Sequence, residues 1–113
     1  MLDLKKIEKE KKKLQQKVKR VERWVVTSDG DEVWTPCWEG NKLKLHVSIL
    51  CFREWYVKIA AWGADDYGVE RVYYFGEDYE KAKEKYEELV LEMNSIEDGV
   101  NLKWFIERGY EPF

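Results

Sequence analysis

Leu43-Lys44-Leu45-His46-Val47-Ser48-Ile49-Leu50-Cys51 is the stretch on which the fold turns. Leu43, Leu45, Val47, Ile49 and Cys51 alternate with Lys44, His46, Ser48 and Leu50, the period of two that a half-buried strand requires. On that phase His46 and Ser48 belong to the polar, solvated side. Working outward, Trp55 to Trp62 predicts a second strand after a link near Arg53 and Glu54, with Trp55, Val57, Ile59 and Ala61 on one face. Gly63-Ala64-Asp65-Asp66-Tyr67-Gly68 reads as a turn, and Val69 to Phe75 pairs back. Upstream, Trp24 to Thr27 predicts a short strand, Ser28-Asp29-Gly30-Asp31 a tight turn, and Glu32 to Trp38 its hairpin partner. Pro36 has no amide to give to a ladder, so that partner lies at an edge or ends early.

The periodicity changes on both sides of the strands. Leu4, Ile7, Lys11, Leu14, Val18, Val21 and Val25 recur at spacings of three and four, which predicts one helix of about 20 residues with a narrow heptad seam. Downstream, Asp78 is a fitting N-cap, and Tyr79, Ala82, Tyr86, Leu89, Val90 and Met93 form the apolar stripe of a long helix ending near Asn94 or Ser95. A short helix over about Val100 to Arg108 carries Leu102, Trp104, Phe105 and Ile106, with Gly109 as its left-handed terminator. The tail Tyr110-Glu111-Pro112-Phe113 is apolar enough to lie against the body. The expected class is α+β: a long N-terminal helix, an antiparallel sheet of four to five strands, then one long and one short C-terminal helix.

At 113 residues the chain holds one domain, residues 1–113, and at 44% apolar it can fill a core without metal or disulfides. The 38% charged fraction is high, and it is unevenly placed. Residues 1–23 carry ten bases against four acids, a basic helical arm of net +6, whereas residues 24–113 form an acidic body of net −9. Within that body, residues 77–98 hold nine acids against three lysines, a net of −6 that matches the arm in magnitude. The sequence has no apolar run of membrane-spanning length and no secretory leader, which fits a cytoplasmic protein that does not enter a membrane. Cys37 and Cys51 read as reduced, buried thiols.

Catalytic chemistry finds little material. His46 is the single histidine, and it offers neither a Cys/His pair nor a zinc set. Asp65, Asp66 and Glu70 put three carboxylates near one turn, but turn carboxylates ordinarily bond local amides and the spacing is not that of an EF-hand loop. No glycine-rich phosphate loop follows a strand. The expectation is a protein that is not an enzyme and has no cofactor and no metal.

Six tryptophans and seven tyrosines exceed what one small core hides, since each aromatic removes about 150 to 250 Å² from water. Some must therefore sit at the surface as contact anchors. The first expectation is a small module that binds a protein partner through Trp34, Trp38, Trp62, Asp65, Asp66 and the acidic helix residues Glu80, Glu84, Glu87 and Glu88. Carboxylates spaced along a helix can imitate a phosphate track and so occupy a basic groove on a nucleic-acid-handling protein. The alternative is a nucleic-acid binder that uses residues 1–23, with Lys9, Lys12, Lys13, Lys17, Lys19, Arg20 and Arg23 on phosphates. A homodimer through the seam of residues 4–25 is a further reading of the arm.

Residues 55–86 are similar to the WGR domain. The run Trp55-Tyr56-Val57-Lys58-Ile59-Ala60-Ala61-Trp62-Gly63, followed by Gly68, Phe75, Ala82 and Tyr86, carries that resemblance, with Ala64 where the family has arginine. It implies nucleic-acid binding. The hairpin Trp62-Gly63-Ala64-Asp65-Asp66-Tyr67-Gly68-Val69-Glu70 also resembles small uncharacterised proteins encoded by phages and mobile elements. That resemblance implies inhibition of a host nucleic-acid-handling or defence system, including inhibition of the anti-CRISPR type.

Overall fold

Alternation along the central strands gives them one apolar face, and two helices pack on it. A computed structural model describes residues 4–27, 42–63 and 68–113. It comprises a helix α1 (Leu4–Gln15), a strand β1 (Arg20–Val26), β2 (Lys42–Phe52), β3 (Glu54–Trp62), β4 (Gly68–Gly76), α2 (Tyr79–Ser95), α3 (Leu102–Glu107) and a two-residue β5 (Glu111–Pro112). The five strands form one antiparallel sheet in chain order, β1-β2-β3-β4-β5. An N-terminal helix, an antiparallel sheet, then a long and a short helix is the architecture that the sequence predicts. The predicted hairpin partner at residues 32–38, Cys37 and the turn residues 64–67 lie outside the described residues.

The inner face presents Val25, Leu43, Leu45, Val47, Ile49, Cys51, Trp55, Val57, Ile59, Ala61 and Val69, all buried. Against it lie Ala82, Tyr86, Leu89 and Met93 of α2 and Leu102 and Phe105 of α3. Each fully buried aliphatic contributes about 1.5 to 3 kcal/mol relative to exposure, so this layer supplies most of the stability. Asp78 caps α2 as predicted, its carboxylate accepting from the Lys81 amide at 3.1 Å. Gly109 ends the helix layer with φ 91°, and the amides of Gly109 and Tyr110 donate to the carbonyls of Ile106 and Phe105, both at 3.1 Å. That six-to-one and five-to-two pattern needs a residue free to enter the left-handed region. The accompanying apolar contact is Phe105 against Tyr110, ring centroids 5.0 Å apart.

Two expectations about the arm are corrected. The helix stops at Gln15, and residues from Arg20 are strand, so the seam of residues 4–25 is split between two elements. A same-face spacing of four, Val21 to Val25, satisfies a strand as well as a helix, and the β-branched run that holds them favours the strand. What remains on α1, Leu4, Ile7, Lys11 and Leu14, is less than two heptads. The boundary between arm and body therefore falls before Arg20, ahead of Arg23. Leu14 packs on the core, and Lys11 interrupts the stripe for a reason: its Nζ donates to the Arg53 carbonyl at 2.6 Å, in the β2–β3 turn where Arg53 itself has φ 65°.

Candidate binding face of the sheet

Because α2 and α3 pack on the inner face, the even-numbered side chains of β1 to β3 point the other way. Register places them in rows: Trp24, Lys44, Trp62 and Gly68; Glu22, His46, Ala60 and Glu70; Arg20, Ser48, Lys58 and Val72; and Leu50, Tyr56 and Tyr74. Among the described residues no helix lies on this side. Among the described residues eight large hydrophobic residues are exposed, and five of them (Trp24, Val26, Phe52, Tyr74 and Phe113) belong here. Scattered exposed apolar residues are ordinary, but a gathering on one flat face is not.

At one end Lys44 sits between two indoles, its Nζ 5.9 Å from the Trp24 ring and 5.5 Å from the Trp62 ring, while bonding Glu22 at 3.0 Å. The Lys44 ammonium holds the Glu22 carboxyl below the usual carboxylate range. Beside them a cleft of about 410 Å³ is lined by His46, Lys58, Ala60, Trp62, Glu70 and Phe113. Phe113 reaches it because β5 pairs with Val69 and Glu70, which carries the tail across Gly68. At the other end Tyr56 and Tyr74 face each other at 6.0 Å, with Phe52 69% exposed beyond them.

His46 lies on the predicted face but not in solvent. It is 6% exposed, and its ring meets Trp62 edge-on at 5.2 Å. Burial, with Lys58 and Arg20 nearby, pushes its pKa down, so the imidazole is neutral at pH 7. Its Nδ1 stands 3.7 Å from Glu22, beyond hydrogen-bond reach, and among the described residues the buried Ser48 hydroxyl also lacks a partner. The two unmet groups are neighbours on the same face of β2.

The remaining predicted residues scatter. Trp62 is on this face, as is the exposed Arg20, whereas Trp34, Trp38, Asp65 and Asp66 lie outside the described residues. Glu80, Glu84, Glu87 and Glu88 are exposed on the far side of α2, with Glu88 bonded to Lys85 at 3.1 Å. Lys9, Lys12, Lys13, Lys17 and Lys19 are exposed on α1 and the segment after it. Arg23 is occupied: it points inward and closes the C-terminus of α2, donating to the carbonyls of Met93 (2.9 Å), Asn94 (3.4 Å) and Ile96 and pairing with Asp98 at 3.1 Å. A phosphate contact from Arg23 would forfeit that cap. The sequence reading missed Trp24, Tyr56, Tyr74, Phe52 and Phe113 as surface groups. Their signal is strand phase, which Trp24, read as the first residue of a short strand, lacks until pairing with β2 extends that strand back to Arg20.

Among the described residues no group of three or more histidine, cysteine or acidic side chains is placed to hold a metal ion. Glu70 instead faces Lys58 at 3.7 Å. Cys51 is a free thiol in the core, and burial pushes its pKa up. No helix of the described residues is long and apolar enough to cross a membrane. Comparison with protein families, with curated proteins and with solved structures finds no match.

Proposed function

We propose that this protein is a non-catalytic binding module whose contact surface is the helix-free face of its sheet. One observation carries the reading: among the described residues, five of the eight exposed large hydrophobic residues lie on that face, interleaved with lysines, above two buried polar groups without partners. Aromatic anchors with a polar surround are how recognition surfaces concentrate binding energy. Capture from a lysate of the source organism tests it, comparing wild type with a Trp24→Ala, Tyr74→Ala variant. Both side chains are more than half exposed, so melting should be unchanged while capture is lost. Undiminished capture by the folded variant would refute the face as the contact surface.

The acidic ridge supports a second reading, inhibition of a basic, nucleic-acid-handling host protein. Among the described residues Glu80, Glu84 and Glu87 have no ion pair within 4.0 Å, leaving their charge for a partner. On that reading Glu84→Lys with Glu87→Lys slows association and flattens its salt dependence, whereas Trp24→Ala does neither.

A further inference from the structure

The helix-free face carries as many carboxylates as bases: Glu22, Glu54, Glu70 and Glu111 stand among Arg20, Lys42, Lys44 and Lys58. A face without net charge selects neither a polyanion nor a polycation. It is matched instead to a surface with the same balance, and a second copy of this face has that balance. Within the chain Glu22 pairs with Lys44 at 3.0 Å and Glu70 with Lys58 at 3.7 Å. Among the described residues Arg20, Lys42, Glu54 and Glu111 have no ion pair within 4.0 Å, which leaves two charges of each sign unmet.

Resting on the reading of this face as the contact surface, we propose that it binds a second copy of this chain, the two sheets stacked face to face about a two-fold axis. An axis that crosses the strands at the level of Val47 sets each row over the row equally far beyond Val47 in the other copy. Register then decides what meets what. Arg20, level with Ser48, falls over the second copy's Glu22, level with His46. Lys42 falls on the row of Phe52 and Glu54, one strand away from the second copy's Glu54. Trp62, level with Lys44, falls over the second copy's Tyr56, level with Leu50. Tyr74 falls over Gly68, which has no side chain and is crossed by the Phe113 ring. Each contact occurs twice. An axis parallel to the strands is worse, because with β1 over β4 or β5 it sets Glu22 against Glu70 or Glu111. Five strands about 4.8 Å apart and the 11 residues of β2 at about 3.4 Å each give a footprint of roughly 600 Å² per copy. The total of about 1,200 Å² reaches the lower end of specific interfaces.

Light scattering over a concentration series up to about 100 μM tests the assignment on the full chain. Wild type should reach twice the chain mass. Trp24→Ala with Tyr74→Ala should weaken the dimer by about a hundredfold while keeping the wild-type circular dichroism, since the two-fold repeats each loss. Lys42→Glu alone and Glu54→Lys alone each set like charges together twice, and each should weaken the dimer about tenfold. Mixed in equal amounts, those two single variants should form a heterodimer of near wild-type strength, because every repelling contact becomes an opposite pair. A dimer through another surface gives no such rescue. A chain that stays monomeric to the top of the series overturns the second copy as occupant. So does a dimer indifferent to Trp24→Ala with Tyr74→Ala, or one that the single reversals weaken but mixing does not restore. If the chain is monomeric while lysate capture still depends on Trp24 and Tyr74, the occupant is a different protein and the face stands. If neither self-association nor capture responds to those variants, both readings fall.

Discussion

Gly68 shows how closely the tail is fitted to the sheet. A Cβ there would meet Phe113 Cζ at 2.4 Å, Trp62 Cβ at 2.5 Å and the Ala61 carbonyl at 2.7 Å. Because the last two atoms are anchored to the backbone of β3, Gly68→Ala should cost about 1 to 3 kcal/mol by thermal melting, and adding Phe113→Ala should restore only part of it. His46 carries a pH dependence. Its folded pKa lies below the ordinary 6.5, so in the window between the folded and unfolded values the unfolded chain binds more protons. Stability is full above about 6.5 and falls as pH drops through that window, whereas His46→Gln should flatten the profile there. A wild-type melting temperature that rises on acidification from neutral pH would contradict the buried neutral imidazole. Arg23 is legible only in the structure: no local pattern says that its guanidinium will meet three carbonyls 70 or more residues away. Arg23→Lys keeps the charge but not the fork, and it should lose about 1 to 2 kcal/mol of stability.

At the level of elements, β2, β3, β4, α2 and α3 were readable because each carries its own period and its own punctuation. Leu43 to Cys51 alternates without a break, Asp78 caps α2, and Gly109 stops α3. The first 26 residues were not readable to the same depth, since Val18, Val21 and Val25 fit the helical template until pairing with β2 decides the matter. Val21 pairs with Val47 and Val25 with Leu43, long-range contacts that no local window contains. Deletion of residues 1–15 tests the revised boundary. It removes the half-buried Ile7 and Leu14 and the Lys11 anchor but leaves the sheet whole, so the truncated protein should fold, melt modestly lower and keep the oligomeric state of the full chain by light scattering. Deletion through Val26 removes β1 and the buried Val25 and should abolish cooperative unfolding. A change of oligomeric state in the shorter deletion would restore the helix as an association element.

For the whole molecule, the sequence showed how much charge there is but not which side it faces. Counting by segment sets a basic arm of net +6 against an acidic stretch, residues 77–98, of net −6, which suggests that the two neutralise each other. Two ion pairs join the arm to that acidic stretch: Lys11 to Glu77 at 3.8 Å and Arg23 to Asp98 at 3.1 Å. The acidic ridge of α2 otherwise faces outward, and one glutamate of that helix, Glu92, turns back to Arg71 with bonds of 2.7 and 2.9 Å. The carboxylates therefore divide into two energetic classes. Reversing Glu84, Glu87 and Glu88 to lysine breaks a single exposed pair, Lys85 to Glu88, so stability should move by less than about 1 kcal/mol. Reversing Glu92 alone strands a half-buried guanidinium that stacks 4.8 Å from the Tyr110 ring, and it should cost about 1 to 3 kcal/mol. A triple variant that melts as low as the Glu92 variant would mean that the ridge holds the fold together.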